Sequence, residues 1–203
     1  MKLYYSPGAC SLSPHIVARE TGIPIELEKV DLGAKKTASG EDYRQVNPKG
    51  YVPALRLDDG SVLTEGPAIV QYLADRQPAA GLAPHAGTME RYRLQEWLGF
   101  LNSEIHKTWG MLYDPKADRA PVIEKLSQRL QWLNGELEKR PYLLPGGFSV
   151  ADAYLFTLLN WAGFTNVDLS PCPALVKYAE RIRSRPKVQE ALRAEGLLRE
   201  KAA

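Results

Sequence analysis

The chain has 203 residues, of which 44% are hydrophobic and 25% are charged, and its formal net charge is +2. These values are typical of a globular protein with one large or two small domains, and they give no support for nucleic acid or an anionic membrane as the main partner. Two cysteines are too few for a disulfide framework, and no apolar run approaches the roughly 18 residues that a membrane helix needs. Because the N-terminal segment lacks a long apolar stretch, we expect no secretory signal and a cytoplasmic location.

The first 76 residues alternate between strand and helix patterns. The run KLYYS favours a strand, SLSPHIVARETG favours a helix that ends at Gly22, and IPIELEKVDL alternates apolar and polar residues as a strand does. The polar stretch GAKKTASGEDYRQVNPKG has room for one short helix at most. VPALRLDDGSVLT predicts a hairpin that turns at Asp58-Asp59-Gly60, and EGPAIVQYLADR predicts a helix with Pro67 at its start. The predicted order is β-α-β-(α)-β-β-α.

The segment QPAAGLAPHAGT, residues 77–88, is rich in Pro, Gly and Ala and is predicted to be a linker. Apolar residues then recur at three-, four- and seven-residue steps, which predicts a helix from about residue 89 to residue 113. Residues 122–137 predict a second helix.

The remaining segments also favour helices. GFSVADAYLFTLLNWAG begins with Ser149 three residues before Asp152, which is a capping-box pattern, and its apolar character predicts burial on most sides. Pro173 and Pro186 open two further predicted helices, and Gly196 ends the last. We therefore predict an α/β N-terminal domain with the thioredoxin arrangement over residues 1–78, followed by an all-α domain over residues 88–203.

Cys10 stands between the first predicted strand and the first predicted helix. The start of a helix stabilises an anion, so this position predicts a lowered thiol pKa and a nucleophilic thiolate. Ser13 stands where a C-x-x-C pair would have its second cysteine, so a disulfide partner of Cys10 would come from outside the chain. The alternative is that Cys10 is a small buried residue with a packing role only.

Five segments together resemble the bacterial beta class of glutathione S-transferases: YYSPGACSLSPHI, VNPKGYVPAL, LTEGPAIVQYLAD, SEIHK and FSVADAYLF. The resemblance runs from residue 1 to about residue 196. It implies a thioredoxin-like domain that binds glutathione and a helical domain that contributes the site for an electrophile, with the chain acting as a homodimer.

The resemblance also implies which residues hold glutathione. Cys10 corresponds to the family cysteine that lies against the glutathione sulfur, and Ser11 offers a hydroxyl near the thiolate. Val52-Pro53 corresponds to a segment in which a cis proline presents main chain to the cysteinyl unit, the alternative being a trans proline at a strand edge. Glu65-Gly66 corresponds to the pair that holds the γ-glutamyl end, although many relatives carry serine at the second position.

Five further correspondences concern the glycine end and the long helix. Lys35 corresponds to a lysine that reaches a glutathione carboxylate, with Lys36 as a competing interpretation. His106 corresponds to a histidine near the reactive sulfur, and its spacing from Gly99 places it on the same helix face. The neighbouring positions implied to contact glutathione are Ser103, Glu104 and Lys107.

The function that follows is the transfer of glutathione to apolar electrophiles, as in detoxification, with Cys10, His106 and Ser11 as catalytic residues. Glutathione would be the co-substrate, with no other cofactor, no metal, and neither nucleic acid nor membrane as a partner. Two alternatives stay open: a glutaredoxin-like reductase or reductive dehalogenase that works through a mixed disulfide at Cys10, and a non-catalytic glutathione-binding protein. A Cys10→Ser variant separates conjugation from disulfide reduction. Retention on immobilised glutathione without turnover would favour the non-catalytic binding protein.

Overall fold

The computed structural model describes residues 1–198, and these divide into two compact units. The first unit contains Met1–Leu82 together with residues 185–198. The second unit contains Ala83–Ser184. The α/β character of the first unit and the helical character of the second confirm the predicted fold class.

A five-stranded mixed sheet forms the centre of the first unit, in the order β3-β2-β1-β4-β5. Its strands are β1 (Lys2–Tyr5), β2 (Glu26–Asp31), β3 (Lys36–Thr37), β4 (Ala54–Arg56) and β5 (Val62–Thr64). Strand β1 is parallel to β2 and antiparallel to β4, so Leu3 stands opposite both Leu27 and Leu55. The short β3 lies within the polar stretch, where the sequence showed no alternation of apolar and polar residues.

The first unit also contains helices. They are α1 (Leu12–Thr21), α2 (Tyr43–Val46), α3 (Gly66–Arg76), a 3₁₀ turn (Pro78–Ala80) and α10 (Pro186–Ala194). Helix α1 ends as predicted at Gly22, whose φ of 71° is left-handed and therefore suits a residue without a Cβ. Helix α1 packs against α3 and α10, and its Leu12, Ile16 and Val17 are fully buried.

The last helix, α10, packs with the first unit, whereas the predicted domains placed it in the second (residues 88–203). Its apolar face, Val188 with Ala191 and Leu192, is buried, and burial of a Val or Leu side chain contributes about 1.5–3 kcal/mol. An amphipathic face shows that a helix has a packing partner but does not specify which one, so the sequence left this choice open. Residues 199–203, at the end of the predicted second domain, lie outside the described residues.

The second unit consists of helices. They are α4 (Met89–Phe100), a π-helical segment (Leu101–His106), α5 (Lys107–Gly110), a 3₁₀ turn (Met111–Tyr113), α6 (Arg119–Glu138), α7 (Val150–Leu159), α8 (Ala162–Thr165) and α9 (Pro173–Arg183). Every residue of α7 is buried, as its continuous apolar run predicted. No helix within residues 1–198 has the length and apolar character needed to cross a bilayer.

The predicted capping box at the start of α7 is confirmed. The Ser149 N–H donates to Asp152 Oδ2 at 2.8 Å, and the Leu143 N–H and the Tyr178 hydroxyl each donate to Oδ1 at 2.9 Å. Burial raises the pKa of Asp152, and these hydrogen bonds act in the opposite direction. Asp152 therefore organises the helical unit and belongs to its folding core.

The long predicted helix of residues 89–113 is interrupted. Over Leu101–His106 the chain is π-helical, and the Lys107 N–H donates to the Asn102 carbonyl, five residues back. A π-helical turn holds more residues than an α-helical turn, so it changes the face on which the following side chains lie. This segment contains His106, one of the predicted catalytic residues.

Candidate functional site

The Cys10 thiol lies in the turn that connects β1 to α1. Its Sγ donates to the Val52 carbonyl oxygen at 3.1 Å, and the main-chain N–H groups of Cys10 and Ser11 act to lower the pKa of the thiol. The turn contains Gly8 at φ 73°, a left-handed value that favours glycine. The sulfur is thus held against the main chain of the segment that precedes Pro53.

The predicted lowering of the Cys10 pKa is wrong for this arrangement. The residue is partly exposed, yet burial of the thiol among protein atoms raises its pKa to about 12, and the two N–H groups offset only part of that effect. The first helical residue is Leu12, so the sulfur lies before the helix proper. Cys10 is therefore a neutral thiol at neutral pH.

The Ser11 hydroxyl is committed to the main chain of the same turn. It accepts from the Ser6 N–H at 3.1 Å and lies 3.2 Å from the Ser6 carbonyl, to which it donates. The Ser11 hydroxyl is therefore bonded within the turn, and its catalytic role stays a prediction. Its side chain is fully buried, which agrees with a role in fastening the turn.

A buried carboxylate that was not among the predicted site residues supports the Cys10 turn. Glu195 Oε2 accepts from the Gly8 N–H at 2.9 Å, and Glu195 Oε1 lies 2.8 Å from His15 Nδ1. Arg19 Nε donates to His15 Nε2 at 3.3 Å, so the proton of a neutral imidazole is on Nδ1 and is donated to Glu195. Glu195 is 180 positions from His15, and a glutamate just after a helix carries no sequence signal for such a contact.

The Val52-Pro53 segment offers main chain beside the thiol. The Val52–Pro53 peptide bond is cis, and within residues 1–198 the Val52 N–H makes no hydrogen bond. The preceding carbonyl, that of Tyr51, accepts from the Tyr43 hydroxyl and the Asn47 side-chain amide, each at 2.7 Å. These bonds fasten the segment and leave the Val52 N–H for an extended ligand.

Glu65-Gly66 lies next to this segment, at the start of α3. A Cβ placed on Gly66 would be 3.9 Å from Pro53 Cγ, so the two predicted pairs are neighbours. Glu65 has a left-handed φ of 70°, and its side chain is exposed and ion-paired with Lys49. A non-glycine residue in this conformation is uncommon and is often found at ligand-binding sites.

Lys35 lies at the other end of the same segment. Its Nζ donates to the Gly50 carbonyl at 3.0 Å and stands 5.9 Å from the centre of the Tyr51 ring. Lys36, the competing candidate, is in β3 and pairs there with Asp31 of β2. The structure therefore brings Lys35, and not Lys36, against the main chain that leads to Val52.

The remaining predicted residues belong to the second unit. Tyr154 Oη lies 2.5 Å from His106 Nδ1 and donates to Asn102 Oδ1 at 3.0 Å. The Tyr154 hydroxyl thus connects His106 to Asn102 within the second unit. The other predicted contacts are two exposed residues and a partly buried one that pairs with Arg129: Ser103, Lys107 and Glu104.

Two family profiles cover most of the chain. Residues 8–76 match the N-terminal domain of glutathione S-transferases, and residues 88–186 match their C-terminal domain. Glutathione S-transferase GstA of Escherichia coli O157:H7 is 44% identical over 200 residues, which span 97% of this chain and 100% of that protein.

Two solved structures are similar to the chain over nearly its whole length. A sphingomonad glutathione S-transferase complexed with glutathione is 50% identical, with a TM-score of 0.94 over 98% of this chain and 100% of the other. A bacterial beta class glutathione S-transferase from Sphingomonas chungbukensis is 48% identical, also with a TM-score of 0.94 over 98% of this chain and 100% of the other.

Proposed function

The chain belongs to the glutathione S-transferase family, in its bacterial beta class, and we propose that it transfers glutathione to apolar electrophiles from a site on the first unit centred on Cys10. The observation that carries this proposal is the meeting of the Cys10 Sγ with the Val52 main chain, 3.1 Å away, beside the start of α3. An extended tripeptide can pair with that main chain as an added strand. Its sulfur then lies at Cys10, and its γ-glutamyl end lies at Glu65.

The raised pKa of Cys10 determines how this residue takes part in conjugation. At neutral pH the residue keeps its proton, so it can donate a hydrogen bond to a glutathione thiolate, as it now does to the Val52 carbonyl. A thiolate held in this way attacks the electrophilic carbon, the C–S bond forms, and a leaving group such as chloride departs with the electron pair. The thiol proton of glutathione is lost to the surrounding water before the attack.

Thiol–disulfide exchange is the second candidate function, because Cys10 is a free and partly exposed thiol. The Cys10 thiolate would attack the glutathione sulfur of a mixed disulfide and release the partner thiol. A second glutathione thiolate would then attack the Cys10–glutathione disulfide and leave as oxidised glutathione. This route needs Cys10 deprotonated, and its pKa of about 12 opposes that at neutral pH, so conjugation is the better supported activity.

The deciding experiment measures both activities in the Cys10→Ser variant. We expect conjugation to chlorodinitrobenzene to persist, since a serine hydroxyl can also donate a hydrogen bond. Reduction of a glutathione mixed disulfide should fall to the uncatalysed rate, since serine forms no disulfide. Cys172→Ser, at a buried cysteine of the second unit, is the matched control and should keep both activities.

Each contrary outcome has a definite meaning. Retention of both activities in Cys10→Ser would exclude any catalytic role for the thiol. Loss of conjugation with a normal unfolding transition would show that the thiol itself is required. Failure of the unaltered protein to conjugate any of several electrophiles in the presence of glutathione would overturn the proposed function.

A further inference from the structure

Lys49 is a cation beside Glu65, and sequence analysis predicted no role for it. Its Nζ donates to Glu65 Oε1 and, at 2.8 Å, to Thr64 Oγ1. The Lys49 and Glu65 side chains are 48% and 64% exposed. An ion pair this exposed contributes little to folding stability, so stability does not account for the arrangement.

The first turn of α3 has few hydrogen-bond donors for an anion. Pro67 has no N–H, and the N–H groups of Ala68 and Ile69 both donate to the Glu65 carbonyl, at 3.1 and 3.0 Å. Within residues 1–198 the Gly66 N–H makes no hydrogen bond, and Gly66 has no side chain to add a second donor. A carboxylate bound here therefore has one backbone donor, although it can accept several hydrogen bonds.

We propose that Lys49 binds the α-carboxylate of the γ-glutamyl group of glutathione, an inference that rests on the proposed function. Lys49 contacts only Oε1 of Glu65, which leaves Oε2 for the ammonium group of the ligand. The ligand carboxylate then faces the Gly66 N–H and the Lys49 ammonium. Lys49, Glu65 and the two ligand charges alternate in sign around the site, so each charge has an opposite charge on both sides.

This arrangement also explains why an exposed pair suits the site. Because Lys49 and Glu65 are not buried, Lys49 can turn toward the ligand without leaving a buried charge unpaired. The same lysine gives the site a preference for a head group that carries both an ammonium and a carboxylate. A peptide that lacks that carboxylate would gain nothing from Lys49.

The test measures binding by titration calorimetry for the full chain and for Lys49→Met, which keeps most of the length of the side chain and removes its charge. The ligands are glutathione and an analogue in which 4-aminobutyrate replaces the γ-glutamyl residue, so that only the α-carboxylate is missing. We expect Lys49→Met to weaken glutathione binding by about three- to tenfold and to change analogue binding by less than about twofold. The matched control is Lys29→Met, at an exposed lysine of β2, which should bind both ligands as the unaltered chain does.

A second variant tests whether Lys49 contributes to glutathione binding because Gly66 has no side-chain hydrogen-bond donor. A Cβ at Gly66 would make only ordinary contact, at 3.9 Å from Pro53, so Gly66→Ser places a hydroxyl beside the Gly66 N–H without a clash. In the Lys49→Met background, Gly66→Ser should recover part of the lost affinity for glutathione, about two- to threefold. The analogue without the carboxylate should not respond to Gly66→Ser.

The outcomes separate this inference from the proposed function. If the unaltered chain binds glutathione and Lys49→Met binds it equally or more tightly, Lys49 is not a carboxylate ligand, and the proposed function stands. If Lys49→Met weakens glutathione and the analogue by the same factor, the lysine acts through general charge, and the inference is overturned. If the unaltered chain does not bind glutathione at all, the proposed function itself fails.

Discussion

The Cys10 end and the Glu65 end of the site are held in place by different means. Around Cys10 the supporting groups are buried: Ser11 and His15 are inaccessible to solvent, and Glu195 is 6% exposed. Around Glu65 the supporting group is a solvent-exposed lysine. The two ends nevertheless lie on neighbouring segments of one sheet-and-helix unit.

This difference shows how one end of a binding site can fix the position of a reactive atom while the other end matches the charges of a ligand. Buried hydrogen bonds are costly to break, because the partner that is left behind loses both its bond and its water. They hold the sulfur in one position. Exposed charges change partners at little cost, and that suits the end of the site where the charges of a ligand must be matched.

The largest expected effect at the buried end concerns the reactivity of Cys10. With a pKa of about 12, its thiolate fraction at pH 7 should be roughly a thousandfold below that of free cysteine. Alkylation by iodoacetamide, measured in Cys172→Ser so that Cys10 is the one thiol of the chain, should rise about tenfold per pH unit from pH 7 to pH 10. Free cysteine in the same buffers is the control. If the alkylation rate of the protein reached a plateau below pH 9, the helix start would lower the thiol pKa more than burial raises it.

The next effect tests the carboxylate that supports the Cys10 turn. Glu195→Ala leaves the Gly8 N–H and the His15 ring N–H without their buried acceptor, which should lower the free energy of unfolding by about 3–5 kcal/mol in urea titrations. Glu190→Ala, on the exposed surface of α10, is the control and should leave the unfolding midpoint unchanged. Equal midpoints for the two variants would contradict a buried support at this end.

A smaller effect is expected from Ser11→Ala, which removes a hydroxyl bonded to both main-chain groups of Ser6. Loss of these buried hydrogen bonds should cost about 1–2 kcal/mol of unfolding free energy. Because the Ser11 N–H stays in place, the pH dependence of Cys10 alkylation should be the same as in the unaltered chain. A changed pH dependence with normal stability would instead support the predicted catalytic role of the hydroxyl.

The smallest effect on stability is expected at the exposed end. Glu65→Gln removes one exposed charge and should change the unfolding free energy by less than about 0.5 kcal/mol. Glutathione binding, measured by calorimetry, should weaken by about tenfold, because the ligand ammonium loses its counter-charge. Glu41→Gln, at another exposed glutamate of this unit that pairs with Arg56, controls for the loss of a surface charge. A stability loss as large as that of Glu195→Ala would remove the contrast between the two ends.

Local signals in the sequence predicted most of the elements. Gly22 ended α1, Asp58-Asp59-Gly60 marked the turn between β4 and β5, and the Ser149 box started α7, as predicted. Each of these features depends on residues within about four positions of one another, which is the range of turn and cap chemistry. The position of Cys10 between a strand and a helix was predictable for the same reason.

The sequence by itself thus determined the order of the elements, the place of the thiol, and the family to which its motifs belong. Only the tertiary structure decided the direction of the Cys10 pKa shift, the use of the Ser11 hydroxyl, the support from Glu195 and the packing of α10. These properties depend on burial and on partners up to 187 residues away in the chain, as between Gly8 and Glu195. Periodicity and capping show which face of a segment is buried and where the segment ends. The packing of the whole unit decides which neighbouring element covers that face and excludes water from it.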